Sequence, residues 1–205
     1  MTKILNWRDK RLVEDLYAAE RVAYKIRRVC AREYTRRCAE FAYARHFGQR
    51  RPGGELQIWH VLRVAERAAG FADRAWTLDD QEHKLVVGAA FLHDVVEDTP
   101  TSVRQIRERF GPAMARIVRA VSHEEEEEPD EVYLRRVATG GHLAVIVKRS
   151  DRLDNLNTLR HAPHEFRSAK LAEIRAALPL WQEIDPDGAP LIEELLQEVE
   201  HESAA

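Results

Sequence analysis

Residues 91–100 read FLHDVVEDTP, so a histidine, two aspartates and a glutamate stand among Phe91, Leu92, Val95 and Val96. Titratable groups that apolar neighbours draw inward are costly to desolvate unless something compensates them. A metal ion does so. His93 and Asp94 are adjacent, about 100° apart on a helix, and both reach one ion placed between them at the helix edge. Further ligands must come from elsewhere, and two residues in apolar surroundings offer them: His60, inside IWHVLRVAE, and Asp151, directly after VIVKRS. Taken singly, His60 is an ordinary core or boundary histidine, and Asp151 a helix cap or a partner for Arg152. With His93 and Asp94 they make two imidazoles and two carboxylates drawn from three helices, a set that suits a divalent ion such as Mn²⁺ with water in the remaining positions. Such an ion activates water and neutralises phosphate charge. Glu97 follows His93 by four residues and Asp98 follows Asp94 by four, so each carboxylate sits one helical turn from a ligand and can handle protons beside the ion. As plain surface acids they would oppose the dipole of the helix they end.

The elements that must position these residues read almost entirely as helix. From Leu12 through Leu16, Ala19, Ala23, Ile26, Cys30, Tyr34, Cys38 and Phe41, apolar residues recur at steps of three and four, predicting one long helix or two in line up to Gly48. The segment GQRRPGGEL is a loop, because Pro52, Gly53 and Gly54 break helix and strand alike. Periodicity resumes at Ile58, Val61, Leu62, Ala65 and Ala69 and should end at Gly70. Thr77 or Asp79 caps a helix running through Phe91 to Asp98, and Thr101 or Ser102 caps a short one closed by Gly111 and Pro112. The acidic run at 123–131 reads as a solvated loop, since consecutive carboxylates repel one another. LAVIVK alone looks β-like, but with no partner strand it is the buried start of a helix continuing into SDRLDNLNTL. Helices over 165–181 and 190–201, around the turn DPDGAP, complete an all-α bundle of about eight or more helices.

Three stretches carry a resemblance: HFGQRRPGGELQIWH at 46–60, AFLHDVVEDT at 90–99 and VKRSDRLDNLNTL at 147–159. They are similar to the HD superfamily of metal-dependent phosphohydrolases, and more closely to the hydrolase domain of the RelA/SpoT family and its small stand-alone relatives. These enzymes remove the 3′-pyrophosphate from guanosine tetra- or pentaphosphate, (p)ppGpp. The resemblance implies manganese bound by His60, His93, Asp94 and Asp151, and catalytic acids at Glu97 and Asp98. It also implies contacts to the nucleotide from Arg51, Asn155 and Thr158. Lys148, three residues before Asp151, lies near the same helix face and is a further candidate for the substrate, or else a plain surface lysine. The chain departs from the family where Pro52, Gly53 and Gly54 follow Arg51, removing a cation and a hydroxyl, and where Asp154 and Asn157 replace a histidine and an arginine. Loss of positive charge there bears on the choice of base and leaves the metal ligands untouched. Two other readings stay open: an HD phosphohydrolase for another nucleotide, an adenosine alarmone or a nicotinamide dinucleotide phosphate, and a non-catalytic nucleotide-binding HD module.

Length and composition bound the rest. At 205 residues the chain fits one globular domain with an extension, divided here into a basic amphipathic helical segment, 1–39, and an HD domain, 40–205. The apolar runs are too short for a membrane helix, and MTKILNWRDK lacks the apolar core of a signal peptide, so a cytoplasmic protein is expected. Cys30 and Cys38, two helical turns apart, are expected to be reduced. Residues 1–51 hold 14 Lys or Arg against 6 Asp or Glu, a net +8 within a chain of net −3. Without an accompanying nucleic-acid motif this is a solvated arginine-rich face, not a nucleic-acid site. It is also the surface through which a second copy, a toxin or a synthetase would dock. The chain shows no counterpart of the synthetase half of long RelA/SpoT proteins, so a single-function hydrolase is expected.

Overall fold

The structure, a computed structural model, describes residues 10–204 except 31, 52, 76 and 124–127, with side chains from 20 to 202. Among the described residues there are eleven helices and no strand beyond an isolated bridge between Arg50 and Leu56. The helices are α1 Lys10–Val29, α2 Glu33–Arg45, α3 Gln57–Arg74, α4 Asp80–Leu92, α5 Val95–Asp98, α6 Val103–Phe110, α7 Pro112–Val121, α8 Asp130–Thr139, α9 His142–Leu159, α10 His164–Ile184 and α11 Ala189–Ala204. The all-α expectation holds. None of the helices is long and apolar enough to cross a membrane.

Local chemistry explains the boundaries. The Asp79 carboxylate accepts from the backbone N–H of Gln81 and Glu82 while Glu82 accepts from that of Asp79, so Asp79 and not Thr77 starts α4. Ser102 and Gln105 make the same reciprocal pair at α6, and Pro112 occupies the first turn of α7, where its missing N–H leaves nothing unpaired. LAVIVK is helical as expected, with Leu143 to Val147 all buried. Helix α4 supplies the centre of the core. Every residue from Leu85 to Leu92 is buried, and α2, α3, α7 and α9 pack around it.

Two boundaries differ from the sequence reading. Helix α3 runs past Gly70 to Arg74, because Ala72 continues the buried face and holds the next turn against the core. The single helix expected over 79–98 is two, α4 and α5, parted at His93 and Asp94. Asp94 has φ −90° and ψ −9°, away from helical values, which swings its carboxylate back beside the His93 ring. The N–H of Asp98 still bonds the carbonyl of Asp94 at 2.8 Å, so Glu97 and Asp98 remain one turn further on.

The N-terminal periodicity resolves into α1 and α2. Leu12, Leu16 and Ala19 lie outside the described side chains, whereas Val22 and Ile26 are buried as expected. Cys30 and Cys38 are buried and unbridged. The boundary drawn between residues 39 and 40 lies inside α2; of the acidic run expected as a loop over 123–131, residues 124–127 lie outside the described residues, and Asp130 and Glu131 instead open α8. At the other end, α9 is tied to the turn before α11 by a buried ion pair, Arg149 to Asp185 at 3.0 Å. The Arg149 guanidinium also lies 4.2 Å from the Phe71 ring, which joins α3 to the same knot.

Candidate metal centre and cleft

Three helices and one break bring the four expected ligands together. His60 projects from the first turn of α3, His93 closes α4, Asp94 stands in the break, and Asp151 lies in the middle of α9. The Nε2 atoms of His60 and His93 approach to 3.3 Å. Asp94 places Oδ1 3.0 Å from His93 Nε2 and Oδ2 3.4 Å from His60 Nε2. Asp151 Oδ1 is 3.3 Å from His60 Nε2 and 3.7 Å from His93 Nε2. Donor atoms of His60, His93 and Asp94 all fall within 4.8 Å of one another, and Asp151 borders that group through both rings.

The arrangement fits a divalent ion for a reason beyond crowding. Each imidazole has its other nitrogen matched to an acceptor: His93 Nδ1 with the Ala90 carbonyl at 2.8 Å, and His60 Nδ1 with Asp154 Oδ2 at 2.8 Å. With both Nδ1–H groups so engaged, both Nε2 atoms face the shared point between the carboxylates. Without an ion, protons take its place. Burial opposes charge on His60, but Asp151, Asp154 and Asp94 outweigh it and carry the imidazole up to about 9. His93 is likewise raised, its burial overcome by Asp94 and Asp151. Asp94 and Asp151 are held well below the carboxylate range despite burial, by His93 and His60 for the first and by Lys148 and the two histidines for the second. The positive charge drawn to the two imidazoles between two carboxylates is what one divalent cation would replace.

A cleft of ≈ 2100 Å³ opens over this cluster, bordered by His60, Asp94 and Asp151. Glu97, Asp98, Arg51, Lys148, Asn155 and Thr158 also line it. Its volume exceeds the roughly 300–1,000 Å³ of a drug-sized pocket. Glu97 is exposed and accepts from the backbone N–H of His123 at 3.0 Å. Asp98 accepts from Gln57 Nε2 at 3.3 Å, and the same amide donates to Asp94 Oδ2 at 2.6 Å. Partial burial, with Asp94 and Glu97 nearby, pushes Asp98 up to about 6. A carboxyl raised above its ordinary 3.8 destabilises the fold once ionised, an effect absent well below 3.8 and complete above about 6. Asp98→Asn should therefore stabilise the metal-free protein at mildly alkaline pH. With solvent screening of this exposed group the gain is about 1 kcal/mol, or about 3 °C in Tm. Thermal unfolding checks it; an unchanged or lower Tm contradicts it.

The expected substrate residues form one strand of contacts. Arg51 Nη2 donates to Asn155 Oδ1 at 2.7 Å, and Asn155 Nδ2 donates to Asp151 Oδ1 at 2.7 Å. The loop bearing Arg51 is closed by Arg51 N–H to the Glu55 carbonyl and Gln57 N–H to the Gln49 carbonyl, both at 2.9 Å, with Gly54 at φ +84° in its turn. Lys148 is no surface lysine. Its half-buried ammonium bonds Asp151 Oδ2 at 2.7 Å and lies 4.8 Å from the Tyr133 ring, and those neighbours hold it charged. The Thr158 hydroxyl donates to the Asn155 carbonyl. Asp154, which sequence comparison placed near the base, instead turns behind His60 and is fully buried. Asp154 lies on the side of α9 that packs against α3, between His60 and Arg63. Gln57, Arg63 and Glu55 were missed from sequence. Arg63, three residues after His60, is the one signal that pointed there.

Residues 35–178 match the family described as HD domain. The chain belongs to the HD-domain family. Within it, the guanosine-3′,5′-bis(diphosphate) 3′-pyrophosphohydrolase MESH1 of Drosophila melanogaster is 32% identical over 60% of this chain and 68% of its own length. The human MESH1 is 33% identical over 62% of this chain and 70% of its own. The guanosine-3′,5′-bis(diphosphate) 3′-pyrophosphohydrolase of Aquifex aeolicus is 35% identical over 62% of this chain, which spans only 18% of that longer protein. A solved structure described as a metazoan ortholog of SpoT that hydrolyzes ppGpp superposes with a TM-score of 0.69 and 24% identity, covering 82% of this HD-domain chain and 97% of its own. At that identity it establishes the shared helical fold.

Proposed function

We propose that this HD-domain chain hydrolyses the 3′-pyrophosphate of guanosine-3′,5′-bis(diphosphate) and its pentaphosphate form, giving pyrophosphate and GDP or GTP, with Mn²⁺ held by His60, His93, Asp94 and Asp151. The convergence of two imidazole Nε2 atoms and the Asp94 carboxylate on one point at the floor of the cleft carries the reading. The activity named for the MESH1 relatives supports it.

When bound, the cation supplies Lewis acidity toward water and phosphate oxygen. Glu97, exposed in the cleft and steadied by the His123 N–H, orients the attacking water. The water oxygen bonds the phosphorus attached to the 3′-oxygen, that P–O bond breaks, and the proton passes to the 3′-oxygen. Asp98, which reaches the same Gln57 amide as Asp94 and lines the cleft, serves that transfer. Arg51 uses one nitrogen on Asn155, which aims the rest of its donor fork at phosphate. Lys148 adds positive charge at the same wall, and Asn155 with Thr158 borders the nucleoside.

Removal of either acid should lower kcat about 100- to 10,000-fold, so Asp98→Asn loses turnover while gaining stability. The loop Arg51-Pro52-Gly53-Gly54, short of a second cation, favours a second reading in which the base or nucleotide differs. Chelator-washed protein reloaded with Mn²⁺ separates the two when offered guanosine and adenosine bis(diphosphates) and a nicotinamide dinucleotide phosphate, with products followed by phosphorus NMR. Pyrophosphate and GDP from the guanosine compound are expected. Turnover of another nucleotide alone moves the assignment to the second reading, and turnover of none leaves a non-catalytic module.

A further inference from the structure

We propose that Asp154 is a positioning residue for the metal centre: its carboxylate, clamped by Arg63, holds the Nδ1–H of His60 and so aims Nε2 at the cation. The inference rests on the metal-site reading above. Asp154 Oδ2 accepts from His60 Nδ1 at 2.8 Å. Arg63 grips the same carboxylate through Nε at 2.9 Å to Oδ1 and Nη2 at 3.1 Å to Oδ2. The guanidinium is itself fixed, donating from Nη1 and Nη2 to the two Glu55 oxygens at 2.6 and 2.8 Å. Asp154 does not border the cleft, and its side chain is wholly inaccessible, so it has no route to a substrate.

A buried carboxylate with this many donors does two things to an imidazole. It selects the Nδ1–H form, leaving the lone pair on Nε2, and it fixes the ring plane, since rotation of His60 would break the 2.8 Å bond and strand a charge. The second metal-site histidine has only a neutral carbonyl, that of Ala90, behind it. His60 is thus the more strongly oriented of the pair. The clamp also reaches the substrate loop, because Glu55 belongs to it and its carbonyl accepts the N–H of Arg51 at 2.9 Å. One continuous set of bonds therefore runs from the loop that carries Arg51 to the back of a metal ligand.

The test is Mn²⁺ affinity by titration calorimetry for the unaltered chain and Asp154→Asn, with circular dichroism and melting of the metal-free proteins in parallel. Loss of the second-sphere charge should weaken Mn²⁺ binding about 10- to 100-fold in a protein that remains folded. Equal affinities overturn this inference alone. No Mn²⁺ binding by the unaltered chain overturns the metal reading and this inference together. Should Asp154→Asn fail to fold, nitrogen-15 spectra of the unaltered protein loaded with diamagnetic Zn²⁺ decide. A protonated Nδ1 and a bare Nε2 on His60 support the proposal, and the opposite tautomer overturns it.

Discussion

Asp94→Asn should bind Mn²⁺ too weakly to retain it through gel filtration and should lose about 1000-fold in kcat/KM, equivalent to about 4 kcal/mol of transition-state stabilisation. Asp94 is the residue through which the others communicate. One oxygen faces the His93 Nε2 and the other faces the His60 Nε2, while the Gln57 amide that steadies it also reaches Asp98. An asparagine of the same size keeps the packing but removes the negative charge, and its NH₂ would point a donor at an imidazole or at Gln57. The helix break at 93 and 94 does not depend on that charge, so the circular dichroism spectrum should match the unaltered protein. Retention of most activity, or of one tightly bound metal per chain, would contradict this role.

Gly188→Ala should lower Tm by about 10 °C, reflecting a destabilisation of about 3–5 kcal/mol. A methyl group on Gly188 overlaps the Asp185 carboxylate and the Arg149 side chain, so the buried pair between them must open. Burial pushes Asp185 toward the neutral acid, opposed by that guanidinium and by the Gly188 N–H. Arg149 precedes Asp151 by two residues on α9, and the same guanidinium lies against Phe71 of α3. The staple thus fixes the helix that carries Asp151, and on the proposed reading Mn²⁺ affinity should fall along with Tm. A variant melting within a degree or two of the parent would show that the turn DPDGAP yields without cost.

What was legible in the sequence is what depends on local pattern. Ile58, Val61, Leu62 and Ala65 announce a helix because the 3.6-residue period is a property of the chain itself, and all four are buried in α3. LAVIVK reads as helix because the sequence offers no second strand to pair with it, and it lies in α9. His60 and Asp151 stood out as polar residues in apolar runs, and they meet at 3.3 Å. What escaped notice depends on how distant helices cross. Nothing local distinguishes Asp154 facing the cleft from Asp154 facing α3, since that choice is set by the packing of α9 on α3. The break after Leu92 has no glycine or proline to signal it. Arg149 and Asp185 are 36 residues apart, so their union is a tertiary fact.

On the proposed reading one divalent cation is held jointly by residues from α3, α9 and the break between α4 and α5. Anomalous diffraction from crystals of the chain grown with Mn²⁺, collected at the manganese edge, tests it most directly. A single strong peak per chain is expected, within bonding distance of His60 Nε2, His93 Nε2, Asp94 and Asp151. A cleft with no peak there, or a peak held by other residues, would contradict it.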